Sequence, residues 1–452
     1  MTDNFHFSST ERRATFSIAS LFGFRMLGLF MVLPVLALAT ADYPDFTPLM
    51  LGMTLGAYGL TQAILQIPLG LLSDRIGRHP VIIGGLLMFI AGSVVAALAD
   101  TMAGLVFGRA LQGTGAIAST LMALVADLTV EQNRSKAMAA IGGSIGFSFM
   151  LAMMLGPVLT ANFGLSGVFW ATALLGVIGV FVAFFLIPKA ASMRRNRESM
   201  ADTRQMKGLL REPNLMRLNF GIFALHFALM AAFVAIPTVL SNELGINESN
   251  LPWVYLGLLG GGFFVMLPLM ILAEKFCYQK LIFIVSVAIM ALATAVLSGQ
   301  RGPSLTPLML LIFFAGFNLL EATLPSWLSK MCPVGNRGTA MGIYSTSQFF
   351  GAFAGGLAGG WSLHEFGVDG LFVTITLILL IWAFVSVGLK SPRPLQTVVL
   401  SVGSMEQQDF LKIVSNVTGV EDILLLKGEH LAYVQVDRLH VDMPSLQPYI
   451  NR

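Results

Sequence analysis

Four ionisable side chains stand inside long apolar runs of this sequence: Arg25, Arg109, His226 and Glu321. A charge in such surroundings is costly unless it is paired or meets a cargo, so these residue types point to the handling of ions, protons or solutes. A denser grouping closes one of the runs, Gly70-Leu-Leu-Ser-Asp74-Arg75-Ile-Gly77-Arg78-His79. Gly77 can supply a tight turn, after which Arg78 can return toward Asp127 at the end of another run. An acid, a turn glycine and an arginine at that spacing can build charge-assisted hydrogen bonds that one proton releases. The plainer reading is a basic loop that only fixes orientation. Bond-making chemistry has no foothold: the sequence shows no nucleotide loop, no metal cluster and no nucleophile–base signature. Cys277 and Cys332 form no CxxC pair and read as ordinary thiols, with no disulfide framework and no metal site.

The solvent of the chain follows from composition. Of 452 residues, 56% are hydrophobic and only 11% charged, with mean hydropathy +0.78. Soluble domains carry about 25% charged residues. So apolar a chain cannot cover a water-facing surface, and its partner is the lipid bilayer. A soluble multidomain enzyme, a disordered protein and a disulfide scaffold are excluded. The net charge of +3 implies no nucleic-acid partner, because the basic residues are used at the ends of the apolar runs.

A membrane-crossing helix needs about 20 apolar residues. The pattern predicts twelve spans, near 14–40, 48–71, 80–99, 102–126, 138–160, 165–187, 215–240, 252–273, 281–299, 304–328, 338–361 and 367–389. Lys and Arg collect in alternate loops and in the segment 188–214, while the remaining loops carry Arg301 beside several acids. By the positive-inside rule both termini are expected in the cytoplasm, in a bacterial inner membrane. Three strings recur at one offset of 203 residues. They are Asn133-Arg134-x-x-Ala137-Met138 with Asn336-Arg337-x-x-Ala340-Met341, Phe163-Gly164-x-x-Gly167-x-Phe169 with Phe366-Gly367-x-x-Gly370-x-Phe372, and Phe30-x-x-x-Pro34 with Phe233-x-x-x-Pro237. Spans 1–6 and 7–12 therefore read as parallel repeats, an arrangement that places a solute site between the halves.

The loop motif around Asp74 resembles the loop 2–3 signature of the major facilitator superfamily. Arg109-Ala-Leu-Gln112-Gly113-Thr-Gly115-Ala116 resembles its span 4 signature. The resemblance covers about 380 residues and implies alternating access, driven by a proton gradient without a cofactor. It implies a gate of Gly70, Asp74, Arg75, Gly77, Arg78 and Asp127, with Asp74 facing the opening of span 11 at Gly338-Thr339-Ala340. It also gives Arg109, with Gln112, a part in proton coupling; the alternative is a structural tie between helices. Arg25 fits either an anionic solute or a structural role. His226 reads as a hydrogen-bonded core residue or a proton carrier, and Glu321 as a coupling group or the partner of a neighbour. Gly142, Gly143, Gly146, Gly156 and Pro157 in span 5 are similar to the family's antiporter signature, although Ala152 and Thr160-Ala161 depart from it; close packing is the other reading.

The tail changes character. Lys390-Ser-Pro392-Arg-Pro394 reads as a stiff linker. Beyond it the spacing predicts a strand at 397–403, a helix at 405–416, strands at 420–427 and 431–438, and a short helix at 443–450. This order resembles a ferredoxin-like, heavy-metal-associated domain without its CxxC, since Gly403-Ser404-Met405-Glu406 stands there. Met405 and His440 are weak candidates for a soft metal, so no metal site is assigned. The whole is expected to be an all-α polytopic membrane protein with a small α+β ferredoxin-like tail, a combination that resembles the YajR-like members of the superfamily. Its parts are a first half at 1–187, a basic linker at 188–214, a second half at 215–390, a linker at 391–396 and the tail at 397–452. The expected activity is proton-coupled efflux of drug-like or hydrophobic small molecules by a monomer. The alternatives are a facilitator or symporter of a small anion, or a membrane sensor whose tail binds a ligand or partner of unknown kind.

Overall fold

The computed structural model describes residues 7–129, 131–188, 203–276, 278–332, 337–391, 395–402, 406–425, 431–437 and 440–450. Cys277, Met405 and most of the basic segment 188–214 lie outside the described residues.

Helix α1 (Ser9–Phe30) opens with a capping box, in which Ser8 accepts from the Glu11 amide and Glu11 accepts from that of Ser8. The span predicted at 14–40 is not one helix. Pro34 has no amide to continue the ladder, so turns occupy 31–35 before the short α2 (Leu36–Ala39). Helix α3 (Pro48–Ile76) starts on a Thr47 cap and stops at Gly77. With φ 102° and ψ 156°, Gly77 occupies backbone space open essentially to glycine alone. The chain thus turns sharply into α4 (Arg78–Ala97). The span predicted at 102–126 is also divided, into α5 (Met102–Thr114) and α6 (Ala118–Leu128). The break, at 115–117, falls at the weak helix formers Gly113 and Gly115, whose backbones lie against α3 and α4.

Helix α7 (Glu131–Phe185) is 55 residues long, interrupted at Gly164 by φ 67° and ψ −178°. A straight helix of that length would measure about 80 Å, far beyond the ~30 Å hydrocarbon core, so it is two crossings joined at the glycine. After α8 (Thr203–Leu209) the second half follows as α9 (Pro213–Thr238), α10 (Leu251–Lys275), α11 (Gln279–Gly299), α12 (Leu305–Met331) and α13 (Arg337–Val387). Helix α13 repeats the fold of α7: Gly367 interrupts its 51 residues at φ 68° and ψ −166°. Among the described residues, nine stretches are long and apolar enough to cross a membrane. Two of them are these double crossings. Helix α1, which carries Glu11, Arg12, Arg13 and Arg25, runs beside α7 and completes twelve.

The halves meet where α3 lies on α13. The backbone of Gly52 sits against Gly356 and Gly360, and Gly59 faces the Phe349 carbonyl. Small residues permit this approach without a clash. Outward-facing Phe16, Phe107, Phe181, Phe264 and Phe384 are all more than 60% exposed, a surface that only lipid can cover.

The tail forms a three-stranded antiparallel sheet, β1 (Leu395–Ser401), β2 (Val420–Leu425) and β3 (Leu431–Asp437), in the order β1-β3-β2. The first strand begins two residues before the predicted start at 397, inside the predicted linker. Helix α14 (Gln407–Ser415) covers the sheet through Phe410 and Val414, packed with Leu400, Val434 and Val436. Helix α15 (Met443–Leu446) leads to Ile450, which bridges Leu400 on the free side of β1. That is the place of a fourth strand, so the tail is a ferredoxin-like unit with its last strand reduced to one bridge.

Candidate functional site

The loop motif closes into a cluster in which Ser73 and Arg78 are buried and the two aspartates half-buried. Arg78 donates from Nε to Asp127 Oδ2 at 3.1 Å and from one terminal nitrogen to Ser73 Oγ at 2.7 Å and to Asp74 Oδ1. Gly77 makes this possible by reversing the chain between Asp74 and Arg78. Gly70 lies against Ser119, whose hydroxyl donates to the Gln66 carbonyl at 2.9 Å. Arg75 is exposed and outside the cluster. Thr339, in the first turn of α13 where Asp74 was expected to face, is buried.

In the first half, two guanidinium groups share one tyrosine. A terminal nitrogen of Arg25 donates to Tyr58 Oη at 2.9 Å and to Gln62 Oε1 at 3.1 Å. Arg109 stacks its guanidinium carbon 5.2 Å from the Tyr58 ring centre, and donates to Gln112 Oε1 at 2.9 Å and to the Thr54 carbonyl. Gln112 passes the network on to Ser93 at 2.8 Å. Gly113 lets α5 approach the Tyr58 carbonyl closely, which sets this register. Arg25 and Arg109 are 1% and 0% exposed.

In the second half, His226 Nε2 lies 3.1 Å from Glu321 Oε2 and 2.8 Å from Gln348 Nε2. Gln348 Nε2 also donates to Glu321 Oε1 at 3.3 Å. Phe317 packs on His226 and, at 6.1 Å between ring centres, on Phe149 of α7, forming an aromatic seam between the halves.

The span 5 glycines divide. A side chain at Gly142, Gly143 or Gly146 would meet open space, whereas Gly156, next to Pro157, rests on the Met31 carbonyl and Pro34. In the tail, His440 Nδ1 lies 3.0 Å from Asp437 Oδ2. No group of three potential metal ligands occurs among the described residues.

Sequence reasoning missed Tyr58, Gln62, Ser93 and Gln348. The first two had a signal. Tyr58, Gln62 and Gln66 recur every four residues in an apolar helix, a polar stripe on one face, and all three are buried.

Twelve crossings in two repeats, polar groups buried between them and a charged turn at one end define a secondary transporter of the membrane. The chain belongs to the Major Facilitator Superfamily, which it matches over residues 18–238 and again over 218–405. It is 42% identical over 430 residues to the inner membrane transport protein YajR of Escherichia coli (strain K12), covering 94% of each chain. It is 26% identical over 364 residues to multidrug resistance protein 2 of Bacillus subtilis (strain 168), covering 75% of this chain and 86% of that one. In fold it is similar to a bacterial homologue of the human lysosomal transporter Spinster, with TM-score 0.66 at 14% identity over 84% of this chain and 97% of that one.

Proposed function

We propose that the protein is a proton-coupled exporter of hydrophobic solutes, working as a monomer in the inner membrane with both termini in the cytoplasm. The observation that carries this is the triad of His226, Glu321 and Gln348. One ring nitrogen cannot serve both neighbours in the same way. With a proton, His226 Nε2 donates to Glu321; without one, it accepts from Gln348 or from a protonated Glu321. The presence of a proton on Nε2 therefore selects which partner is held. Gln348 belongs to α13, the helix that lies on α3 of the other half, so re-pairing is passed to the seam between the halves.

At the other end of α3, Arg78 with Asp74 and Asp127 acts as the latch. A proton on either acid removes one of its two ionic partners and frees the loop to move. The aromatic seam at Phe149 and Phe317 suits apolar cargo, and the name of the Bacillus relative agrees with export of such molecules. In liposomes with a trapped pH dye, a hydrophobic solute should drive proton movement. Glu321→Gln should abolish that movement while a labelled solute still equilibrates. Unchanged proton flux in Glu321→Gln refutes the reading.

A further inference from the structure

We propose that Arg25, Gln62 and Arg109 form a receptor for a single anionic group, the acidic head of the solute carried. This rests on the transport reading above and narrows its cargo to organic anions with an apolar body. The argument starts from contrast. Arg78 and Arg301 each meet two carboxylates. Arg25 and Arg109 are more deeply buried than either, yet no Asp or Glu among the described residues pairs with them. Their partners are a phenol, two amide oxygens and a carbonyl, all neutral.

The unmade hydrogen bonds of these two arginines and of Gln62 are all donors. Arg25 Nε and one terminal nitrogen, a terminal nitrogen of Arg109 and Gln62 Nε2 are all buried without an acceptor. Buried donors without partners are rare in folded proteins. Here they belong to two arginines that both touch Tyr58, one at its hydroxyl and one over its ring, like charges that repel in a medium of low dielectric. An anion satisfies the donors and the charge together. The planar fork of a guanidinium matches the paired oxygens of a carboxylate or sulfonate. Phe89, with its ring centre 5.9 Å from Arg25, gives apolar surroundings to the part of the solute next to that head. Both guanidiniums are shut from solvent in this conformation, so the anion enters when the halves part.

The test is binding by the full-length protein in lipid nanodiscs at neutral pH, by calorimetry and thermal melting. The probes are octanoate, octanesulfonate, nitrate and tetrapropylammonium. Octanoate and octanesulfonate should bind and raise the melting temperature. Gln62→Glu places a carboxylate beside Arg25 as a built-in counter-charge. It should weaken octanoate binding at least tenfold and melt above the wild type when no anion is present. Arg25→Gln should also bind octanoate at least tenfold more weakly. Nitrate binding as tightly as octanoate would assign the site to a free inorganic anion and overturn the solute-head proposal. No binding by any anion, or tighter binding of tetrapropylammonium, overturns it as well. Octanoate binding without solute-driven proton flux sinks the proton reading alone. Proton flux driven by a cation, without anion binding, sinks this one alone.

Discussion

Arg78 and Asp127 stand 49 residues apart in the chain and 3.1 Å apart in space. Arg78 is the first residue of α4, where the helix dipole disfavours a cation, while Asp74 and Asp127 lie in the last turns of α3 and α6, where it disfavours an anion. Each placement costs about 0.3–1 kcal/mol alone, and the cluster offsets that cost. A cluster so placed suits the proposed latch, stable yet easily released.

Replacement of its members should therefore be asymmetric. Arg78→Gln takes the shared cation from two part-buried carboxylates and should destabilise by about 3 kcal/mol. Asp74→Asn and Asp127→Asn each relieve a dipole penalty, so their stability losses should stay near 1–2 kcal/mol. All three should slow transport about tenfold or more, because the proposed latch sets a conformational equilibrium in which ~1.4 kcal/mol is a tenfold change. Melting curves in detergent read beside initial uptake rates check the contrast. Equal stability losses for the arginine and aspartate variants would remove the dipole argument.

Gly164 and Gly367 predict a matched pair of effects. Both hold backbone angles essentially reserved for glycine, at positions related by the offset of 203 residues. Alanine at either should cost about 1–3 kcal/mol, and the two costs should add because the sites lie in different halves. Gly142→Ala is the control. It meets open space inside a helix, so stability should hold or rise by about 0.5–1 kcal/mol. If the glycines of that face serve transport, Gly142→Ala will lower uptake without lowering the melting temperature.

That offset shows how far the sequence could be read. The repeat strings, the basic loops and the apolar lengths imply twelve crossings in two halves. The loop motif implies that Arg78 turns back toward Asp127. Local chemistry was enough for the crossings and for the turn at Gly77, each decided within a few residues of chain, whereas the pairing of Arg78 with Asp127, 49 residues on, rested on the superfamily resemblance. The meeting of Arg25 with Tyr58 and Gln62, and of His226 with Glu321 and Gln348, was not legible. These contacts join helices up to 122 residues apart, and no local pattern encodes the register at which two apolar helices cross. The breaks at Met31–Val35 and Gly115–Ile117 were also missed, since hydropathy is blind to a turn that stays apolar.

The tail should fail independently of the spans. Phe410 is fully buried under the sheet and meets Tyr449 edge-on at 5.7 Å between ring centres. Phe410→Ala should cost about 3–5 kcal/mol. A domain this small rarely holds more than about 3–5 kcal/mol in its core, so the tail should unfold. Limited proteolysis should then remove it and leave the membrane part intact. Should the clipped protein still transport, the tail is regulatory; should transport stop, the tail is part of the cycle.

Asp45 offers a pH test at the opposite end of the bundle from the latch. Its carboxylate accepts from the Met102 amide at 2.7 Å and the Ala103 amide at 3.0 Å, while Thr101 accepts from Gly104. The first three amides of α5 are thus satisfied, two of them by an acid from another loop. The Met102 hydrogen bond, the largest influence, holds the Asp45 carboxyl below its ordinary range; desolvation, the second, opposes it, and the Ala103 hydrogen bond adds to the lowering. A carboxylate whose pKa is lower folded than unfolded adds stability above the unfolded value, and the gain is lost as pH falls through the folded one. Asp45→Asn should therefore melt below the wild type at pH 7. The gap should narrow as the pH drops from about 4 toward the lowered folded value. Melting both proteins across pH 3–7 measures it, and a gap that stays constant down to acid would show that the charge of Asp45 contributes nothing to the cap.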